Sequence, residues 1–201
     1  MPYVSGAVEG ISDEAVLRRI VSHRGAEVHR VQVQGGKSNL RRALPGYNAA
    51  AQGDPWLVLV DLDHDFDCPA LLVLNWLPTP NRYMRFRVVV PQVESWLMAD
   101  ADRFSSFFGV RRAQIPHAPD ALPDARAALL QLISTSRRGA VREDMMPRPR
   151  SGRLVGPAYT SRLIEFVGDL ADGWRPEVAA NRSPSLSRCM NRLDDLIEIA
   201  P

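Results

Sequence analysis

The segment from Trp56 to Asp65 most constrains the fold, because a run of apolar residues ends abruptly in acidic ones. Residues 57–60 are Leu-Val-Leu-Val, and a short continuous apolar run of this kind is typical of a strand buried on both faces. Asp61, Asp63 and Asp65 follow directly. The carboxyl ends of strands in an open parallel sheet face the ligand crevice, so we expect these carboxylates at that edge.

The spacing of the first two aspartates predicts a cation site. Side chains repeat every two residues along a strand, so Asp61 and Asp63 would point to the same side. Crowded carboxylates repel one another unless a cation lies between them, and a hard divalent ion such as Mg²⁺ or Mn²⁺ prefers oxygen ligands. The alternative is structural, because aspartate is common after strands, where it caps a helix or forms a turn.

A second acidic position follows the first predicted strand. Residues 3–8 are expected to form a short strand that ends at Glu9 and Gly10, where the glycine permits a tight turn. Ser12 would then cap an amphipathic helix over about 13–24. Glu9 would therefore lie at the same kind of strand-to-helix turn as the paired aspartates. Its alternative role is that of a solvated turn residue.

Other acidic residues lie at predicted helix starts. Glu94 falls in the first turn of a helix expected over about 92–107, directly after a strand that ends at Pro91. It is either a fourth acidic group of the metal site or a residue that compensates the helix macrodipole. Asp13 and Glu14 are interpreted as first-turn acids of the compensating kind.

Strands and helices alternate along the first half of the chain. Strands are predicted at about 3–8, 27–33, 57–62 and 83–90. Such alternation implies an α/β fold with a mostly parallel sheet and flanking helices. From Arg111 onward only helices are predicted, at about 121–136, 158–171 and 184–199. The sequence thus predicts a metal-binding domain over 1–110 and a helical extension over 111–201.

Length, cysteine content and hydropathy narrow the class of protein. A chain of 201 residues can bury a substantial core without disulfides. Its two cysteines, Cys68 and Cys189, are far apart and match no metal-binding spacing, which favours a reducing compartment. No apolar run approaches the ~20 residues needed to cross a membrane, and the N-terminus does not resemble a secretion leader. We therefore expect a cytoplasmic protein without membrane association.

Basic residues concentrate in one predicted loop. The net charge is only +2, yet residues 137–153 hold six arginines and two acidic residues. This basic, mobile loop is a candidate nucleic-acid contact in which Arg148, Arg150 and Arg153 would meet phosphates, and a solvated charge run is the alternative. Lys37, the only lysine, can also face a phosphate at a predicted helix start, although the spacing of a phosphate-binding loop is absent.

The order of the acidic motifs resembles that of the Toprim domain. Glu9-Gly10 follows the first predicted strand, and Asp61-x-Asp63 follows the third. In that family a glutamate and an aspartate pair at these places coordinate Mg²⁺. The resemblance covers about residues 1–110 and implies metal-binding and catalytic roles for Glu9, Asp61 and Asp63.

Two later segments look like a Toprim-like bacterial family of unknown function, related to the overcoming-lysogenization-defect nucleases. They are PQVESWLMAD at 91–100 and SPSLSR at 183–188. Such proteins often accompany ATPases in phage-defence or mobile loci, so the resemblance implies DNA or RNA as a partner, together with a partner ATPase. The chain lacks a catalytic tyrosine motif and a zinc-binding module, which argues against the topoisomerase and primase branches.

These observations predict a Mg²⁺-dependent nuclease. Glu9, Asp61 and Asp63 would be its catalytic residues and metal ligands, and Glu94 would be a further ligand. One alternative is a non-catalytic Toprim subunit that binds nucleic acid or a partner and regulates it. Another is a haloacid-dehalogenase-like phosphohydrolase, which also uses D-x-D after a strand. In that class the pair follows the first strand of the chain, and threonine or valine stands where Asp65 is found here.

Overall fold

Four parallel strands form a twisted layer at the centre of the protein, as seen in a computed structural model that describes residues 1–200. The strands are β1 (Tyr3–Val8), β2 (Glu27–Val33), β3 (Trp56–Asp61) and β4 (Met84–Val89). Their order across the sheet is β2-β1-β3-β4, and every neighbouring pair is parallel. The predicted α/β class with a mostly parallel sheet is confirmed, and each predicted strand is found within one residue of its expected bounds.

Helices flank the sheet and continue beyond it to the end of the described chain. They are α1 (Ile11–His23), α2 (Lys37–Ala50), α3 (Pro69–Trp76), α4 (Val93–Ala99), α5 (Ala101–Phe108), α6 (Ala125–Ser134), α7 (Gly139–Met145), α8 (Tyr159–Gly168), α9 (Pro176–Ala179) and α10 (Pro184–Ile199). Within residues 1–200 no helix is both long and apolar enough to cross a membrane.

Two hydrophobic clusters cover the two faces of the sheet. Along β3, Leu57 and Leu59 belong to one cluster, whereas Val58 and Val60 belong to the other. All six residues of β3 are buried, as expected for a central strand covered by helices on both faces. Asp61 is therefore the point at which this strand leaves the core and reaches the carboxyl edge of the sheet.

The helical second half shares a hydrophobic cluster with the sheet. Trp96, Phe166, Trp174 and Leu193 are fully buried in the same cluster as residues of β1 and β3. Helix α8 packs on α1, and α10 lies beside β4. The division of the chain near residue 110 stays a prediction, and residues on both sides of it contribute to one core.

Asp100 interrupts the helix predicted over 92–107, so this segment is the two helices α4 and α5. The Asp100 side chain is fully buried and accepts hydrogen bonds from Arg175 Nη2 at 2.8 Å and Nε at 2.9 Å. It also accepts one from the backbone N–H of Arg103 and so caps α5. A buried carboxylate needs such partners, and the pair joins the start of α5 to the segment before α9.

Helix α7 corrects the prediction of an irregular loop over 137–153. Val141 and Met145, one turn apart, are both buried in the main hydrophobic cluster. This single apolar contact per turn is enough to order a short helix against α6 and α8. The sequence did not predict this helix, because it is flanked by glycines, prolines and arginines that are typical of a loop. Two apolar residues one turn apart are also too few for periodicity to distinguish a helix from a loop.

Candidate functional site

Asp61 and Glu9 meet where two neighbouring strands end. Asp61 ends β3 and is 8 % exposed, and its Oδ1 accepts a hydrogen bond from the backbone N–H of Val93 at 3.1 Å. Glu9 follows β1, and its Oε1 accepts a hydrogen bond from the backbone N–H of Asp61 at 3.0 Å. The structure thus brings together the two acidic positions that the sequence singled out, because β1 and β3 are adjacent in the sheet.

Asp61 lies within electrostatic range of several other carboxyl groups. Burial raises the pKa of Asp61 well above its ordinary value, and neighbouring negative charges raise it further. In order of effect, these neighbours are Asp13, Glu94, Glu9 and Asp63. Carboxylates that lie this close disfavour one another's charged forms. A cation bound among them would relieve this repulsion.

Asp13 joins this cluster, although the sequence analysis interpreted it only as a helix-compensating acid. Helix α1 begins after Gly10 and not after Ser12 as predicted, so Asp13 is the third residue of the helix and not the first. Its Oδ2 accepts a hydrogen bond from the backbone N–H of Gly10 at 2.8 Å, and burial raises the pKa of Asp13 to about 6. The turn at Glu9-Gly10 was the sequence signal that could have predicted this position of Asp13. A helix that begins directly after Gly10 brings the acidic residues of its first turn close to Glu9.

Asp63 does not continue the geometry of β3, which corrects the expectation that it points to the same side as Asp61. Its φ is 49°, in the left-handed region, so the chain turns after the strand ends. Its Oδ2 lies 3.0 Å from Lys37 Nζ, and its Oδ1 accepts a hydrogen bond from Gln92 Nε2 at 2.9 Å. Asp63 therefore flanks the cluster and bridges the starts of α2 and α4.

Lys37 occupies a position inside the acidic loop. It begins α2, and its ammonium contacts Asp63 at 3.0 Å and Asp65 at 2.7 Å and donates to the carbonyl of Leu62 at 3.1 Å. It neutralises part of the acidic charge in this structure. The predicted contact between Lys37 and a nucleic-acid phosphate stays a prediction, and it requires the ammonium to leave one of its carboxylates.

Glu94 is held by residues from the helical half of the chain. It is 1 % exposed, and its Oε1 accepts hydrogen bonds from Arg126 Nε at 2.9 Å and from the Tyr159 hydroxyl at 3.0 Å. Its Oε2 is buried and has no hydrogen-bond partner among residues 1–200. An unpartnered buried oxygen costs about 1–3 kcal/mol, and a cation beside it would remove that cost.

Gln92, Arg126 and Tyr159 are site residues that the sequence analysis missed. Gln92 donates to Asp63 and accepts a hydrogen bond from the backbone N–H of Arg126 at 2.9 Å, so it links the acidic loop to the start of α6. These residues lie far apart along the chain, and no spacing connects them. Only the packing of α4 against α6 and α8 brings them to the site.

The donor set fits a hard divalent cation in its chemistry, because it consists of carboxylate oxygens and includes the unpartnered oxygen of Glu94. In the observed side-chain positions, however, residues 1–200 contain no group of three His, Cys, Asp or Glu side chains arranged to hold a metal ion. An oxygen of Glu9 is engaged by the backbone N–H of Asp61, and an oxygen of Asp63 is engaged by the ammonium of Lys37. A metal centre stays a prediction, and it requires side-chain positions other than the observed ones.

We expect the metal-free protein to lose stability as the pH rises from about 4.5 to about 7. Burial raises the pKa of Glu9 from 4.5 to about 7, so in this range the folded state binds more protons than the unfolded state. Stability is then greatest below the unfolded pKa and is lost as the pH rises through the folded one. Thermal melts in chelator-treated buffer across this range would measure the loss.

A divalent cation should offset this loss, so millimolar Mn²⁺ should raise the melting temperature more at pH 8 than at pH 5. Glu9→Gln should reduce the pH dependence and shrink the effect of Mn²⁺, and the remaining pH dependence comes from Asp13 and Asp61, whose pKa values burial also raises. Glu27→Gln, at an exposed position of β2, is the matched control and should leave both unchanged. A melting temperature that is constant over this range and insensitive to Mn²⁺ would contradict the prediction.

Comparisons with protein-family models, with curated proteins and with solved structures found no match to this chain. The resemblance to the Toprim domain therefore stays a prediction that depends on Glu9, Asp61 and Asp63 and on the strands that precede them. The structure by itself defines an α/β protein with a parallel sheet and an acidic cluster around the buried Asp61 at the carboxyl edge of that sheet.

Proposed function

We propose that this protein is a Toprim-type phosphodiesterase that uses Mg²⁺ or Mn²⁺ to cleave nucleic acid. The observation that carries the proposal is the buried Asp61 carboxyl group with four other carboxyl groups around it, at the ligand-facing edge of a parallel sheet. Crowded carboxylates do not stabilise the fold, because they repel one another. They do favour the binding of a hard divalent cation, which prefers oxygen ligands.

Glu9, Asp61 and Asp63 would hold the cation, with the free oxygen of Glu94 beside them. A divalent ion held there would supply polarisation of a phosphoryl oxygen and a lowered pKa for the attacking water. The protein positions these groups through neighbours: the backbone N–H of Val93 fixes Asp61, and Arg126 fixes Glu94. The ammonium of Lys37 would pair with a substrate phosphate once Asp63 turns to the cation.

The exposed arginines after α7 would supply phosphate contacts beyond the acidic cluster. Arg148, Arg150 and Arg153 are exposed, whereas Arg138 and Arg142 donate to the backbone carbonyls of Phe107 and Ser136 and so serve the local fold. Arg148, Arg150 and Arg153 are therefore exposed without a side-chain hydrogen bond or ion pair to any described residue, as is Arg137 before α7.

Replacing Arg148, Arg150 and Arg153 together by serine should weaken duplex binding and reduce its dependence on salt. Each neutralised phosphate contributes about 0.9 to the slope of log affinity against log salt, so the slope should fall by about 2.7. Fluorescence anisotropy titrations at several salt concentrations would measure it. Arg111→Ser with Arg112→Ser, at two exposed positions elsewhere, is the control. An unaltered slope in the triple variant would remove this segment as a binding element.

The test of the proposed activity is a cleavage assay on DNA and RNA substrates supplied with Mg²⁺ or Mn²⁺. Wild-type protein should cleave in a metal-dependent way, and Asp61→Ala should not. Where cleavage requires a partner ATPase, the same comparison is made on the reconstituted complex. Cleavage that persists in chelator, or that Asp61→Ala leaves unchanged, would contradict the proposal.

A non-catalytic Toprim subunit is the second candidate, and the contacts of Lys37 favour it. An ammonium between Asp63 and Asp65 supplies a counter-charge without metal, and the observed rotamers hold no three-ligand group within the described residues. Isothermal titration with Mn²⁺ separates the candidates. Saturable binding that Asp61→Asn removes favours the metal enzyme, and absence of binding favours a regulatory subunit whose acidic cluster is neutralised internally.

A further inference from the structure

A groove runs along the outer edge of β4, where Phe86 and Val88 are each 6 % exposed. Two adjoining cavities of about 530 Å³ and 300 Å³ form it, and they share Val73, Leu77, Pro80 and Arg87 in their walls. Even without the smaller cavity, the volume of the larger one falls within the ~300–1,000 Å³ range of ligand-binding pockets. None of the residues that line the groove belongs to the acidic cluster.

Unpaired backbone groups of β4 line the floor of this groove. β4 is the last strand of the sheet, and the carbonyls of Tyr83 and Val89 accept hydrogen bonds on the β3 side, at 2.8 and 2.9 Å. Backbone groups of successive residues point to alternate sides of a strand, so those of Phe86 and Val88 face the groove. Within residues 1–200 these groove-facing groups have no hydrogen-bond partner. An edge of this kind is a template for an added strand.

The two walls of the groove differ in chemistry. On the α3 side the wall is aliphatic, formed by Val73, Leu74 and Leu77 together with prolines after the helix, and Leu74 is 66 % exposed. On the other side, Arg188 of α10 and Arg87 of β4 make it basic. A ligand that fills the groove must therefore present apolar groups to one wall and negative charge to the other.

Two arginines of the basic wall lack acidic partners among the described residues, whereas Arg192 beside them pairs with Asp195 at 2.7 Å. Neither Arg87 nor Arg188 forms an ion pair within residues 1–200, and the Nε of Arg87 is buried without a hydrogen-bond partner. Burial lowers the pKa of Arg87, and the positive charges of Arg192 and Arg188 lower it further. Guanidinium groups that repel one another and lack acceptors would gain from a carboxylate, which can accept two parallel hydrogen bonds from one arginine.

We propose that this groove binds an extended segment of a partner protein in which acidic and aliphatic residues alternate, and that the segment adds to β4 as a fifth strand. Successive side chains of a strand point to opposite faces, so one set would meet Leu74 and its neighbours while the other met Arg87 and Arg188. Main-chain hydrogen bonds to Phe86 and Val88 would provide affinity, as in other cases of strand addition.

The probe is a fluorescent eight-residue peptide, blocked at both ends, in which glutamate alternates with valine. Wild-type protein should bind it saturably, as measured by anisotropy. Arg87→Gln with Arg188→Gln removes charge-assisted hydrogen bonds worth about 1.5–3 kcal/mol and should weaken binding about 10-fold to 100-fold. Arg111→Gln, at an exposed position remote from the groove, should have no effect.

A second pair of variants tests the aliphatic wall without touching the core. Leu74→Asp adds a negative charge to the groove and should abolish binding, whereas Leu170→Asp, at a position that is 79 % exposed, should not. Slowed hydrogen exchange of the Phe86 and Val88 amides in the complex would report strand addition directly.

Three results would overturn the proposal: no saturable binding, equal binding by the double arginine variant, or tighter binding of a single-stranded oligonucleotide at the same residues. Asp61→Asn should bind the peptide normally, so failure of this proposal and failure of the proposed enzymatic activity are separate outcomes.

Discussion

Asp63→Asn should lower the rate of nucleic-acid cleavage by several orders of magnitude while leaving the fold intact, because one negatively charged ligand is lost from the site. Asn is one of the few side chains that tolerate the left-handed backbone found at this position, where φ is 49°. The amide oxygen can still accept the hydrogen bond from Gln92. The change therefore removes charge without straining the turn, and initial rates at saturating Mg²⁺ would measure its effect.

Asp67→Asn is the matched control, because Asp67 is exposed in the same loop and makes no contact with the acidic cluster. It should retain wild-type activity, and circular dichroism should show that both variants are folded. Glu9→Gln is the independent second variant and should lose activity as well. Cleavage that withstands both Asp63→Asn and Glu9→Gln would favour the regulatory subunit over the enzyme.

Arg175→Met should lower the free energy of unfolding by about 3–5 kcal/mol, because it leaves the carboxylate of Asp100 buried without its charged partner. The Asp100 side chain is fully buried, so water cannot replace the lost contacts. A change of this size in a chain of 150–250 residues lowers the melting temperature by about 6–20 °C. Urea denaturation would give the free energy directly.

The exposed ion pair of Arg103 with Asp172 provides the control. The Asp172 side chain is 79 % exposed, so Arg103→Met should cost at most about 1 kcal/mol. Adding Asp100→Asn to Arg175→Met should recover part of the loss, since the uncompensated charge is then removed. Equal destabilisation by Arg175→Met and Arg103→Met would show that the buried pair does not join the two halves of the fold as argued.

The sequence predicted the sheet because the physical signals for it are local. An apolar run such as Leu57–Val60 requires burial on both faces, and helices between strands require parallel connections. From these two facts the carboxyl edge of the sheet follows, and with it the proximity of Glu9 and Asp61, now seen as a hydrogen bond of 3.0 Å. Residues that directly follow strands could thus be placed without any knowledge of tertiary contacts.

By itself, therefore, the sequence determined the α/β class, the strand positions and the acidic edge, because each depends on periodicity over a few neighbouring residues. Only the tertiary structure decided the left-handed turn at Asp63, the break at Asp100, and the use of Arg126 and Tyr159 to hold Glu94. These features depend on which helices pack together. The contacts that hold Glu94 join residues 32 and 65 positions apart, and no local pattern records them.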